Sequence, residues 1–193
     1  MPVFPINLPA APSFREFSME AKSVVAVSTS IFSGKEQVYV HPAQFWEVSF
    51  ELPPLSKTQS AEWAAFMLRL NGREGFFNLT PPDDSPIAVV SGTIVVDAIS
   101  DYYLDLTGMT GTFTAGDWIQ IENGLYRITT GDTAVAGEAT IEVWPKPRAE
   151  IVETTSTVEY TTPKGRFRIF ESFKWDMSLA KHYNINIGAR EVL

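Results

Sequence analysis

The chain has no cysteine, which removes disulfides, thiolate metal centres and cysteine nucleophiles together. It has only two histidines, His41 and His182, too few for most imidazole chemistry. Lysine and arginine are scarce beside the acids, 15 against 23, for a net charge of −8. A sequence-independent grip on nucleic acid needs clustered cations to displace phosphate counterions, so that class is disfavoured. No apolar run approaches the roughly 18 residues of a membrane span. The opening MPVFPINLPAAP lacks the positive region and apolar core of a secretory signal. The expectation is a soluble protein made in the cytoplasm, with no membrane partner.

What the chain does have is apolar mass. Of its 193 residues 45% are hydrophobic, including 5 Trp, 6 Tyr and 13 Phe, enough for one well-cored domain or two small ones. Charge is uneven: Asp84 to Arg148 holds nine acids against three bases, and the remainder fourteen against twelve. That asymmetry predicts two units of different character.

Prolines at 2, 5, 9 and 12 fix φ and remove amide donors, predicting an extended N-terminal arm. Its Phe4, Ile6 and Leu8 are candidates either for packing along their own domain or for contact with a neighbouring subunit. From Phe17 the chain reads as strand, with Phe17, Met19, Val25, Val27 and Ile31 on one parity, turning at Ser33-Gly34-Lys35. In FWEVSFEL, Trp46, Val48, Phe50 and Leu52 alternate with Glu47, Ser49 and Glu51, giving one core face and one acidic face. Pro53-Pro54 ends that strand. A helix over about 57–70 follows, with Ser56 and Gln59 as a capping box, Trp63, Phe66, Met67 and Leu70 at helical spacing, and Asn71-Gly72 as the stop.

Between PPDDSP at 81–86 and PKPR at 145–148 the pattern predicts five short strands, about 93–98, 102–107, 116–122, 125–130 and 138–144. Five strands in that length is the size of a small closed barrel such as an OB-fold. Within it, AGDWIQIENGLYRI predicts a hairpin turning at Asn123-Gly124, with Ile121 opposite Tyr126 and Ile119 opposite Ile128. Trp118 and Arg127 then share the other face, open to solvent or to a neighbour. Past the barrel, GRFRIFESFKW alternates Phe167, Ile169, Phe173 and Trp175 with Arg166, Arg168 and Lys174. Its basic face complements the acidic FWEVSFEL, so both are expected in one sheet, with the barrel as an insertion.

Recognisable chemistry is missing. Asp83-Asp84 lies in a proline-flanked loop, where adjacent carboxylates are ordinarily just solvated. The sequence has no G-x-S-x-G, P-loop, G-x-G-x-x-G, H-x-x-x-H or EF-hand spacing, so no catalytic residue, cofactor or metal is assigned. Basic and aromatic residues alternate in KGRFRIF but face opposite ways, which suits an amphipathic strand better than base stacking. Asn78-Leu79-Thr80 matches a glycosylation sequon, which carries little weight without a secretory signal.

The order of these pieces, Trp46, Leu52-Pro53-Pro54-Leu55, Trp63-Ala64-Ala65-Phe66, Gly72, Gly75-x-Phe77, Ala115-Gly116-Asp117-x-Ile119-Gln120 and Leu125-Tyr126-Arg127, resembles the distal tail proteins of long-tailed bacteriophages. The resemblance covers about residues 36–175. It implies a mainly β fold: a ring-forming β-sandwich or sheet domain with one packed helix, discontinuous over 1–83 and 149–193, and an inserted OB-like barrel at 84–148. It further implies a hexameric ring at the tail tip of the virion, with the tail tube, tape-measure and baseplate hub proteins as neighbours, no catalytic residues and no cofactor. DNA would pass through such a ring, and a net negative chain disfavours phosphate binding. Two other classes compete. One is a binding module for host-surface carbohydrate using Trp118 or Tyr126, and the other is a hydrolase dependent on His41 or His182.

Overall fold

The computed structural model describes residues 4–10, 12–82, 89–170, 175–177 and 183–192. The expected Asp83-Asp84 pair, His182, Phe173 and Lys174 lie outside them, as does the Trp175 side chain. The elements in chain order are β1 (Ile6–Asn7), β2 (Glu16–Thr29), β3 (Glu36–Glu51), α1 (Lys57–Leu70), β4 (Phe77–Leu79), β5 (Val89–Ser91), β6 (Val95–Ser100), β7 (Tyr103–Thr107), β8 (Thr110–Thr112), β9 (Trp118–Ile121), β10 (Gly124–Thr130), β11 (Glu138–Trp144), β12 (Val158–Glu159), β13 (Gly165–Ile169), β14 (Trp175–Met177) and β15 (Tyr183–Glu191). The fold is mainly β, as the alternating patterns require.

Seven strands form the outer sheet in the order β1-β4-β13-β15-β3-β2, with β14 on the free stretch of β15. The acidic and basic strands share this sheet, but β15 lies between them. Glu47 therefore pairs across the ladder with Arg190 rather than with Arg166 or Arg168, and Arg190 binds the Glu47 carboxylate at 2.7 Å. Leu79 sits opposite Gly165, and Phe77 opposite Phe167, so the chain leaves the sheet on β4 and returns beside it on β13.

The helix follows its sequence signals closely. Ser56 caps it and exchanges hydrogen bonds with Gln59, and Asn71 ends it in the left-handed conformation at φ 51°. Trp63, Phe66, Met67 and Leu70 are buried against Phe50 and Phe77 of the sheet. The arm packs on its own domain: Ile6 is buried, Phe4 stacks on Phe76, and Phe4 and Leu8 lie against the same core. Those three residues thus serve their own core.

The inserted unit is a six-stranded sheet, β12-β9-β10-β11-β7-β6. Its ends meet where Val95 bridges Thr157, where Val96 N–H donates to Ser156 O, and where Val158 N–H donates to Ile94 O. The sheet is thereby closed on itself, while β5 and β8 form a separate pair beside it. An OB-fold has five strands. Here a sixth is drawn from beyond the PKPR joint, and Ile151 and Val158 join the barrel core.

The central hairpin departs from expectation by two residues. Ile121 pairs with Gly124 and Ile119 with Tyr126, so the turn is Glu122-Asn123, with Glu122 at φ 52°. A two-residue slip preserves the faces, and Ile119, Ile121, Tyr126 and Ile128 are all core. Gly124 is needed for space: a Cβ there would lie 2.7 Å from the Tyr126 hydroxyl, because that ring folds over it. Replacing Ser56 by Ala removes the helix cap and is expected to cost about 1 kcal/mol, read as a lower urea midpoint with an unchanged slope.

Candidate interaction surfaces

Of the residues that the sequence pointed to, Trp118 and Arg127 lie where the barrel meets the outer sheet. Trp46 of β3 lies under the barrel, its ring edge-on to Trp118 at 4.9 Å and to Trp144 at 4.4 Å between centroids. Its indole N–H donates to Leu125 O at 3.0 Å. The Arg127 guanidinium sits 5.0 Å above the Trp118 ring. Trp118 and Arg127 were expected on an open face; Arg127 is exposed, whereas Trp118 is half-buried against the outer core, because this part of the hairpin face opposite the barrel interior is laid on the sheet. Leu125, between them in the chain, is fully buried in the outer core rather than in the barrel.

A single carboxylate organises this junction. Glu191, at 2% exposure, accepts from Trp46 N at 3.2 Å and from Leu125 N at 3.1 Å, and pairs with Arg148 Nη2 at 2.7 Å. One group thus holds the outer sheet, the barrel hairpin and the PKPR joint together. Burial pushes the Glu191 carboxyl above the usual carboxylate range, partly offset by Arg148. Burial likewise pushes the Tyr126 phenol up to about 12, and its hydroxyl accepts from Arg148 N at 3.3 Å. Close approach is allowed by Gly165, whose Cβ would stand 3.0 Å from Leu125 Cβ.

Glu191 and Arg148 escaped the sequence reading. Arg148 sat in a joint read as a linker. Glu191 carried a signal, since in INIGARE it occupies the inward parity of Ile185, Ile187 and Ala189. A lone carboxylate on the apolar side of an alternating strand requires buried partners.

Among the described residues no three His, Asp or Glu side chains gather as metal ligands, and no helix is long and apolar enough to cross a membrane. His41 is exposed far out on β3, with its ring against Tyr39. A groove of about 770 Å³ between the arm and residues 78–82 is lined by Leu8, Pro9, Phe14, Phe17 and Leu79 among others, with Arg15 and Lys164 but, among the described residues, no carboxylate or histidine. Arg15 is held there by Glu51 at 3.3 Å. Tyr126 is fully buried, which removes it as a platform for sugar rings, and Trp118 is engaged by Trp46 and Arg127.

The remaining surface feature is a ribbon. Among the described residues the β3 strand beyond Gln44 pairs only with β2, and from Ser23 to Gln44 all but two residues are exposed. Val25, Val27 and Ile31 were expected in the core, yet they are 45%, 58% and 95% exposed. Their parity is the core parity, but the strands outrun the domain that could cover them. Comparison with protein-family models and with curated proteins finds no match.

Two outcomes test the junction. Leu125→Ala, which empties a fully buried site in the outer core, is expected to cost about 2 to 5 kcal/mol in urea unfolding. For Glu191 the raised folded-state pKa means that the native state holds its proton after the unfolded chain has released one. The stability this group contributes is therefore fully present below about pH 4.5 and is lost as pH rises through the folded value. The stability of the wild-type chain relative to Glu191→Gln is expected to fall as pH rises above about 4.5; an unchanged difference would refute the assignment.

Proposed function

We propose that the chain is a structural subunit of a phage tail tip, a distal tail protein assembling as a hexameric ring that joins the tail tube to the baseplate hub. In this reading it resides in the virion, touches the tube and tape-measure proteins, performs no reaction and lets DNA pass. The observation that carries the reading is the open edge of the outer sheet. The β2 strand runs for 14 residues with β3 on one side and, among the described residues, no strand on the other. A long unpaired edge is a template for another chain, and an edge that meets a different surface of the next copy makes a head-to-tail contact, the kind that closes into rings.

The order of motifs from Trp46 to Arg127 supports the same reading, as does an interior committed to packing. The net charge of −8 suits a channel to which a polyanion does not adhere. Electron microscopy of virions carrying a tagged copy of this chain is expected to place six labels around the axis at the tail tip. Label along the tube or on the capsid, or none in purified virions, would overturn the proposal.

A further inference from the structure

The two faces of the β2–β3 ribbon differ. Directly opposed residues share a face. Val25 pairs with Val40 and Val27 with Val38 on one side, while Ala26 pairs with Tyr39 and Ser28 with Gln37 on the other. The valine side continues the core face of the same strands. Phe17 opposes Phe50, Met19 opposes Val48 and Ala21 opposes Trp46 on that parity. The parity survives the irregularity after Ser23, where Val24 faces His41, Pro42 and Ala43. Covered by α1 and the barrel near its base, this apolar face is bare farther out: the four valines are 45–63% exposed, and Ile31 and Phe32 at the tip are 95% and 100% exposed.

We infer that this valine face docks on a second copy of the chain, laid across the body of its neighbour. The inference rests on the ring reading for its partner and adds the surface that makes the contact. Three observations select a second copy. First, the ribbon reaches about 30 Å from Ser23 to its tip at ordinary strand rise, against a radius of gyration of about 16 Å for a chain of this length, so it can cross onto an adjacent body. Second, residues 21–44 carry two lysines and one glutamate, whereas the rest of the chain bears all of the net charge of −8 and one more. The ribbon is therefore the part that meets an acidic body without repulsion. Third, a two-stranded hairpin alone in water is marginal, and this one gathers its four paired valines on one side, with Ala26, Ser28, Gln37 and Tyr39 on the other, which suits a ribbon lying along a protein surface.

The test is sedimentation velocity over a concentration series on the full chain, with wild type, Val27→Asp/Val38→Asp and, as the polar-face control, Ser28→Asp/Gln37→Asp. Far-UV circular dichroism and thermal midpoints check that each variant is folded. Wild type and the polar-face control are expected to assemble as concentration rises. The valine variant is expected to remain monomeric at concentrations at least tenfold higher, with an unchanged melting midpoint. A wild type that stays monomeric throughout, or a valine variant that assembles like wild type, overturns the inference. Flotation of wild type with phosphatidylcholine vesicles, abolished in the valine variant, would also overturn it by assigning the face to lipid. Negative-stain images separate it from the ring reading. A two-fold dimer dependent on the valines keeps the docking face and removes the ring, and a ring indifferent to them does the reverse.

Discussion

The Glu191 carboxylate is the constraint on which the arrangement of the two units depends. A charge removed from water is tolerated only where donors replace the lost hydration. Here two backbone amides from different units donate to it, and a guanidinium from the joint between them pairs with its charge. Separating the barrel from the sheet would leave the carboxylate short of partners and would pull Leu125 from the outer core. The three tryptophans add area to that junction, but their contacts are edge-on and adaptable. The carboxylate, with its fixed donors, sets the register.

The same logic explains why the hairpin turns where it does. A turn at Asn123-Gly124 would satisfy the local preference for left-handed backbone. The observed turn instead places Glu122 in that conformation and releases Gly124 into the strand, where the Tyr126 ring needs the empty space. The slip leaves Tyr126 facing the barrel and Leu125 facing the sheet, so what offsets the local cost at Glu122 is the room that Gly124 gives the Tyr126 ring. Tertiary packing decided a register that the dipeptide had seemed to decide.

Much of the fold was legible because its signals are local. The Ser56–Gln59 box, the 3.6-residue stripe from Trp63 to Leu70, and the alternation in FWEVSFEL and GRFRIF each specify an element without reference to the rest. Periodicity reports which residues share a face, not whether anything covers that face. Val25 and Val27 obey the core parity and still stand in solvent, because the strands extend past their own domain. The junction was illegible for the opposite reason. Arg148 and Glu191 are far apart in sequence, and their meeting depends on β15 entering the sheet between β3 and β13, a matter of topology that no window of residues contains.

The adjacency of Leu79 and Gly165 in the sheet carries its own consequence. The strands β4 and β13 are two arms of one antiparallel hairpin, and the whole barrel, from Thr80 to Lys164, is its loop. Closing a longer loop costs only about 0.6 kcal/mol for each doubling of length, so an outer sheet of this design can carry a domain in place of a turn at little entropic penalty. The barrel is therefore an exchangeable cargo in topological terms, entering and leaving through neighbouring strands. What ties it to this particular sheet is the side-chain chemistry around Trp46 and Glu191, which any replacement would have to supply anew.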